Sequence, residues 1–501
     1  MSPPYEGILE KGVCTDIIDL GRPAEESDHP PIQQPFKWLA ATAKQSFSGK
    51  QNGRNTKLHR TAYLDGLRGF ASLLVYCLHH QLWNHSGLAL ESAFGFDGHY
   101  YLACLPIVRI FFTGGHLAVS IFFVISGYVL SAKPLALSHS GDYNKLAENV
   151  GSALFRRWLR LYIPVVGVTF VVAMMPHVFG IQANFSPEQT WRDELWKWYC
   201  DFKNVSFVWR LGGVPWLSYH FHSWSIPYEF RGSITIYTAV MAFSRCTKTA
   251  RLCCEVGLII YFLYIADGAL FAMFTAGMLL GDLDQLAERQ QLPQWMSSLK
   301  RFQSHIFHVL FVLGLVLGGC PTHVDDIQFL KDSPGWGHFA FLVPQAVYDY
   351  KWFFLFWASV FTVASIPRIP WLKSFFEGRF CQYLGRISFA LYMVHGPVLW
   401  TLGIRLYAAT GLAQDWQIPE VPGWVDRVRL PHIGPMGLEL NFLVPNLILL
   451  PVTLWLAEIG TTLLDEPSIK VSRWLYEKAT GVGEAMQERE GKATDRTLSK
   501  R

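Results

Sequence analysis

Ionisable side chains buried in otherwise apolar stretches are the first places to look for chemistry in this sequence. The stretch YLDGLRGFASLLVYCLHHQLW, residues 63–83, is long enough to cross a bilayer, yet it carries Asp65, Arg68 and His79. An ionised group near a bilayer centre costs roughly 2.5 to 3.5 kcal/mol on insertion scales, so each calls for a partner or a purpose. The eleven-residue step from Arg68 to His79 is three helical turns, which leaves both on nearly one face, about 16 Å apart along the axis. One stripe therefore presents a cation at one depth and an imidazole at another.

Four more stretches repeat this pattern. IVRIFFTGGHLAVSIFFVISGYVLS (107–131) adds His116 at a depth comparable with His79, as a substrate contact or as an interhelical hydrogen-bonding group. Its Gly114, Gly115 and Gly127 read as close helix packing. FRRWLRLYIP (155–164) gathers Arg156, Arg157 and Arg160 at an expected span entrance, either as a topology anchor or as a landing site for phosphate groups. HSWSIPYEFRGSITIY (222–237) buries Ser225 and Glu229, four apart on one face, and Arg231, which does not face Glu229. Glu229 thus needs a partner on another helix: an imidazole, forming an acid/base pair, or Arg68, forming an ion pair. YLGRISFALYMVHGPVLW (383–400) places His395 in mid-span with Tyr392 one turn earlier.

Several chemistries are not expected. His79 and His80 are adjacent and cannot share a helix face, and no HxxxH or HxxE occurs within a span. His220-Phe-His222 is at most a weak chelator, so no catalytic metal is expected. The nine cysteines show no CxxC or CxxH spacing, and there is no GxSxG elbow, P-loop or GxGxxG fingerprint.

The elements that must position these residues are membrane helices. The chain has 501 residues, 51% hydrophobic, 15% aromatic and 16% charged, too apolar and aromatic for an ordinary soluble enzyme. A net charge of +4, spread over many loops, gives no reason to expect nucleic acid as a partner. The expected architecture is an all-α polytopic bundle in the lipid bilayer with about ten spans, near 63–83, 107–131, 158–179, 222–243, 252–266, 267–283, 305–320, 352–367, 387–408 and 440–464. The fifth and sixth, short and joined through Asp267 and Gly268, could instead form a re-entrant pair. Lys and Arg concentrate on alternate connections, among them Arg156, Arg157, Arg245, Lys248, Arg251, Arg368 and Arg386, which fits an even number of spans with both termini cytosolic.

Residues 1–60 read as a cytosolic, largely disordered tail without a signal peptide, 61–476 as the membrane domain and 477–501 as a second cytosolic tail. The opposite loops hold sequons at Asn84, Asn184 and Asn204, together with Cys104, Cys200 and Cys320, where a disulfide is permitted. Cys253 and Cys254 start a span and are open to palmitoylation or to an ordinary helical role.

In these motifs the chain resembles the integral-membrane acyltransferase 3 family: LDGLRG (64–69) followed by Arg68-x10-His79, FFVISGY (122–128), RRWLRLYIP (156–164), SWSIPYEF with Ser225-x3-Glu229, LGRISFALYMVH (384–395) and LDEPSIKVSRWL (464–475). The resemblance covers most of 61–476 in the family's order. It departs at Pro227 and Arg231, where bacterial members read more like SLSVEEQF, and the style suggests the filamentous-fungal branch.

The resemblance implies transfer of an acyl group, acetyl by preference, from cytosolic acyl-CoA to a hydroxyl of a small molecule such as a secondary metabolite, or of a glycan. The acyl-CoA is a co-substrate, and no tightly bound cofactor is expected. By the resemblance Arg68 would hold the CoA and His79 would be the central catalytic residue, with Glu229 and His395 in the catalytic core. The residue types themselves add Arg156, Arg157 and Arg160 as contacts of the CoA phosphates and His116 and Ser225 as contacts of the acceptor. The expected location is an endomembrane such as the endoplasmic reticulum. The alternative class is a transporter or flippase using the intramembrane Arg, Glu and His as a proton relay.

Overall fold

A computed structural model describes residues 58–181, 183–209 and 214–481. The proposed tails therefore lie almost wholly outside the described residues. Among those residues every regular element is a helix. We number the principal ones α1 (Ala62–Asn84), α2 (Gly115–His139), α3 (Tyr143–Phe179), α4 (Trp191–Ser206), α5 (Ser225–Phe243), α6 (Lys248–Tyr264), α7 (Ala269–Glu288), α8 (Gln303–Leu317), α9 (Tyr350–Ser365), α10 (Arg379–Val398) and α11 (Leu440–Gly460). α10 continues through a π-turn at Leu399–Gly403 into Ile404–Ala409, and α11 through another at Thr461–Asp465 into Glu466–Thr480.

Each of the ten apolar stretches is helical, but the helices differ in how well they suit a bilayer. Five are by themselves long and apolar enough to cross: α2, α3, α7, Arg379–Ala409 and Leu440–Thr480. The pair Tyr350–Arg368 and Pro370–Phe376, bent by 100°, would be a sixth. The count of ten is not reached on length and apolarity alone. α8 has 15 residues and spans about 22 Å, short of a hydrocarbon core of about 30 Å. α1 is long enough but is diluted by its polar residues.

Three boundaries move. The second span starts at Gly115 rather than 107, because the chain breaks at Gly114 between two helices. The third runs 37 residues from Tyr143, so Arg156, Arg157 and Arg160 lie within one continuous helix, just ahead of its apolar run. The fifth and sixth are separate helices packed on each other.

α1 sits at the centre, packed against α10 on one side and α2 on the other, and α2 packs in turn on α7. Two glycine crossings bring these backbones together. A Cβ on Gly69 of α1 would fall 2.2 Å from the Gly385 backbone nitrogen of α10, and one on Gly385 would fall 2.5 Å from the Asp65 carbonyl oxygen. Gly127 and Gly277 do the same for α2 and α7, each abutting the opposite backbone at about 2 Å. In lipid, where apolar surface gives helices little reason to associate, such close approach is a main source of packing energy.

Candidate active site

Three histidines from three segments converge at one end of the α1–α10 pair. His79 Nδ1 and His395 Nε2 are 2.9 Å apart. His222, from the short helical turn Phe221–Trp224 that leads into α5, lies flat on His79 with ring centroids 3.5 Å apart and planes at 19°. His222 and His395 rings are 4.9 Å apart and parallel to within 6°. His222 and His395 are buried.

The hydrogen bonds assign the tautomers. His395 Nδ1 faces the Leu391 carbonyl at 3.3 Å, and a carbonyl only accepts, so Nδ1 carries the hydrogen. His395 Nε2 is then an acceptor, and His79 donates to it through Nδ1. That leaves His79 Nε2 with the lone pair, the arrangement of a general base oriented by a second group.

His222 is held by its surroundings. Pro397 has no N–H, so the Met393 carbonyl four residues earlier loses its helical partner. His220 Nε2 donates to that carbonyl at 2.7 Å, tying the His-Phe-His segment to α10. On its other side Tyr219 donates a short hydrogen bond to the buried Glu194 of α4, and Glu194 also faces His177 of α3 at 3.3 Å. Burial, with that carboxylate beside it, pushes the Tyr219 hydroxyl well up, so it stays a donor. Gly396 leaves room for the imidazole: a Cβ there would come within 2.9 Å of His222 Nδ1.

The other expected site residues are distributed differently. Ser225 is close by: its hydroxyl is 2.7 Å from that of Tyr392, which also donates to the His222 carbonyl. Glu229, one turn further along α5, does not reach an imidazole. Its carboxylate accepts from Arg157 Nη2 and Ser126 Oγ, each at 2.5 Å, and Arg157 Nε reaches Ser233 Oγ at 2.8 Å. The expectation of a Glu229–histidine acid/base pair is thereby corrected, and so is that of Arg68 as its direct ion-pair partner. Arg157 neutralises this carboxylate because a buried charge needs an opposite one nearby. Two of its donors are thus committed inside the protein, which removes it from the expected phosphate cluster.

Arg68 Nη2 donates to the Gly385 carbonyl at 3.0 Å at the helix crossing, with Asp65 at 3.9 Å. Arg156 is 6% exposed and Arg160 partly buried. His116 is not part of the stack and donates to Glu91 at 2.9 Å, where Thr322 donates to the same oxygen at 3.0 Å. Burial raises the Glu91 carboxyl, but these hydrogen bonds more than offset it and hold it below the usual range.

No single helix carries a chelating pair, but across helices one nitrogen from each of His79, His222 and His395 lies within 4.8 Å of the others. The rings are nevertheless nearly parallel at 3.5–4.9 Å. A metal about 2 Å from one nitrogen in its ring plane would lie well out of the plane of the ring stacked on it. The geometry fits a proton-handling stack better than a metal site.

Asn84 is 2% exposed and donates to the His80 carbonyl at 2.8 Å, so this sequon is not available for a glycan. Cys104, Cys200 and Cys320 are free thiols.

The acyltransferase 3 family model, described as an acyltransferase domain, matches residues 61–457. This chain belongs to the acyltransferase 3 family. The match takes in α1 to most of α11, and with them all three histidines. A protein named O-acetyltransferase PaAT-1, from Phomopsis amygdali, is 31% identical over 461 residues, 86% of this chain and 88% of that protein. Acyltransferase clz18, from Cochliobolus lunatus, is 23% identical over 478 residues, 84% of this chain and 96% of that protein. No solved structure matches the chain. A membrane-embedded transferase of acyl groups is the function this family membership supports.

His222 was legible only as half of a weak chelator. Its signal was present nonetheless, since it lies three residues before Ser225 in the same motif.

Proposed function

We propose that the protein is an O-acyltransferase that moves an acyl group, acetyl by preference, from acyl-CoA to a hydroxyl of a small molecule. The observation that carries this reading is the oriented pair in which His79 Nδ1 donates to His395 Nε2, leaving His79 Nε2 to accept a proton. In the reaction His79 Nε2 takes the acceptor O–H proton as the oxygen attacks the thioester carbonyl. The C–O bond forms, the C–S bond breaks, and the leaving sulfur recovers the proton from the imidazolium. His395 stabilises that imidazolium through Nδ1, and His222 keeps the ring from turning.

The CoA enters from the Arg68 end, with its phosphates on Arg68, Arg156 and Arg160, and its pantetheine arm covers the roughly 16 Å along α1 to His79. Ser225 and His116 stand on the acceptor side. Ten helices cross the bilayer, with both ends cytosolic in an endomembrane, and the name of the Phomopsis relative supports acetyl as the group. The test is transfer of labelled acetyl from acetyl-CoA to alcohols in membranes containing the protein. His79→Ala should lower the rate by at least about a hundredfold in folded protein; a variant that keeps most of its activity overturns the role given to His79.

A further inference from the structure

Above the histidines a cleft of about 180 Å³ is lined by Trp83, Trp400, Trp416, Phe185, Arg405 and Glu420, among others. It adjoins the reacting groups through two of these residues. Trp83 lies one turn beyond His79 on α1, and the Trp400 ring is 5.1 Å from His222 and 5.5 Å from His220. Trp416 stands edge-on to Trp83 at 4.9 Å, and Phe221 stacks on Trp400 at 4.8 Å.

Trp83 and Trp400 are 9% and 3% exposed, and the Nε1 of each is buried without a hydrogen-bond partner in the protein. An indole N–H can only donate, and leaving one unmet in a buried site costs about 1–3 kcal/mol. These two N–H groups are closed off from the cleft as well as from protein acceptors, so the cleft is lined by the aromatic faces, which suit a flat or puckered ring.

We infer that this cleft is the acceptor site, and that it takes a rigid ring stacked among the tryptophans, with the reacting hydroxyl directed to His79. The inference rests on the acyltransferase reading above. The volume is below the roughly 300–1,000 Å³ of sites that enclose a drug-sized molecule, so the cleft holds one end of the acceptor and the remainder extends outward. Two sources share this chemistry: a fused carbocycle and a pyranoside.

The test uses the full-length protein in membranes with acetyl-CoA and three alcohols: 6-methoxy-2-naphthalenemethanol, methyl β-D-glucopyranoside and 1-octanol, which has no ring. At least one ring alcohol should have a lower KM than 1-octanol, and which one identifies the source. Trp83→Leu and Trp400→Leu, which stay apolar and lose the aromatic face, should raise the KM for that alcohol about three- to tenfold, the effect of one lost ring contact, and raise the KM for 1-octanol less. Trp416→Ala, at a half-exposed position where folding is least at risk, should raise it as well. Equal effects on all three alcohols, or none, overturn the inference. If no alcohol is acetylated, the acyl-transfer reading fails, and equilibrium dialysis of the naphthalene probe decides the cleft separately. Saturable binding weakened in the Trp variants retains the site, and binding indifferent to them removes it.

Discussion

His222 lies ring over ring on His79, its Nδ1 has no hydrogen-bond partner in the protein, and nothing in the proposed reaction takes a proton from it. Its role is to position the base, and two substitutions separate that from direct chemistry. His222→Ala removes the stack and should lower kcat about tenfold or more, whereas His222→Phe keeps a flat ring and should restore most of the rate. If the Phe variant is as slow as the Ala variant, an imidazole nitrogen of His222 touches the reacting atoms. Glu229 and Arg157 show the complementary case: both are ionisable and buried, yet each is satisfied by the other and by serines. A buried charge is thus no sign of catalysis until its partners are known.

Among the elements, the α1–α10 crossing bears most directly on the site, because His79 and His395 ride on its two helices. Gly69→Ala or Gly385→Ala would press a methyl into opposing backbone at 2.2–2.5 Å, which no side-chain rotation relieves. Either should destabilise the fold by about 1–3 kcal/mol, seen as a lower melting temperature in detergent, and should lower activity by spreading the histidines. A melting curve unchanged from the parent would show that the helices can part freely. A second seam joins α6 to α7, where Asp282 accepts from Arg251 at 2.7 and 3.1 Å and faces His139 at 2.8 Å. Glu255 is buried beside it with both carboxylate oxygens unpartnered. Glu255→Gln should therefore leave thermal stability unchanged or improve it, while Asp282→Asn, which strands Arg251, should cost about 3–5 kcal/mol. Equal losses in both variants would contradict this division.

For the molecule as a whole, the number of crossing helices sets which side each end faces. Among the described residues five helices are adequate on length and apolarity, and the polar α1 packs against α2 and α10. The proposed topology has an even count, so epitope tags added at the N- and C-termini should be reached from the same side of sealed vesicles, the cytosolic one. Tags reached from opposite sides would require an odd count, and an N-terminal tag on the lumenal side would separate the Arg68 end from the side where acyl-CoA is available.

Periodicity and hydropathy were enough for the helical class, for nearly all ten helical stretches and for the His79 stripe, because these depend on local spacing alone. The histidine of α10 and the family motifs were also legible, since each is a run of neighbours. What the tertiary structure decided is pairing. Glu229 meets Arg157 and not a histidine, Arg157 lies deep in a long helix, His116 turns to Glu91, and His222 arrives from a connection to complete the stack. Each depends on which helices touch, and that is set by glycine crossings and by the carbonyl that Pro397 leaves open, contacts between residues hundreds of positions apart that no local pattern encodes.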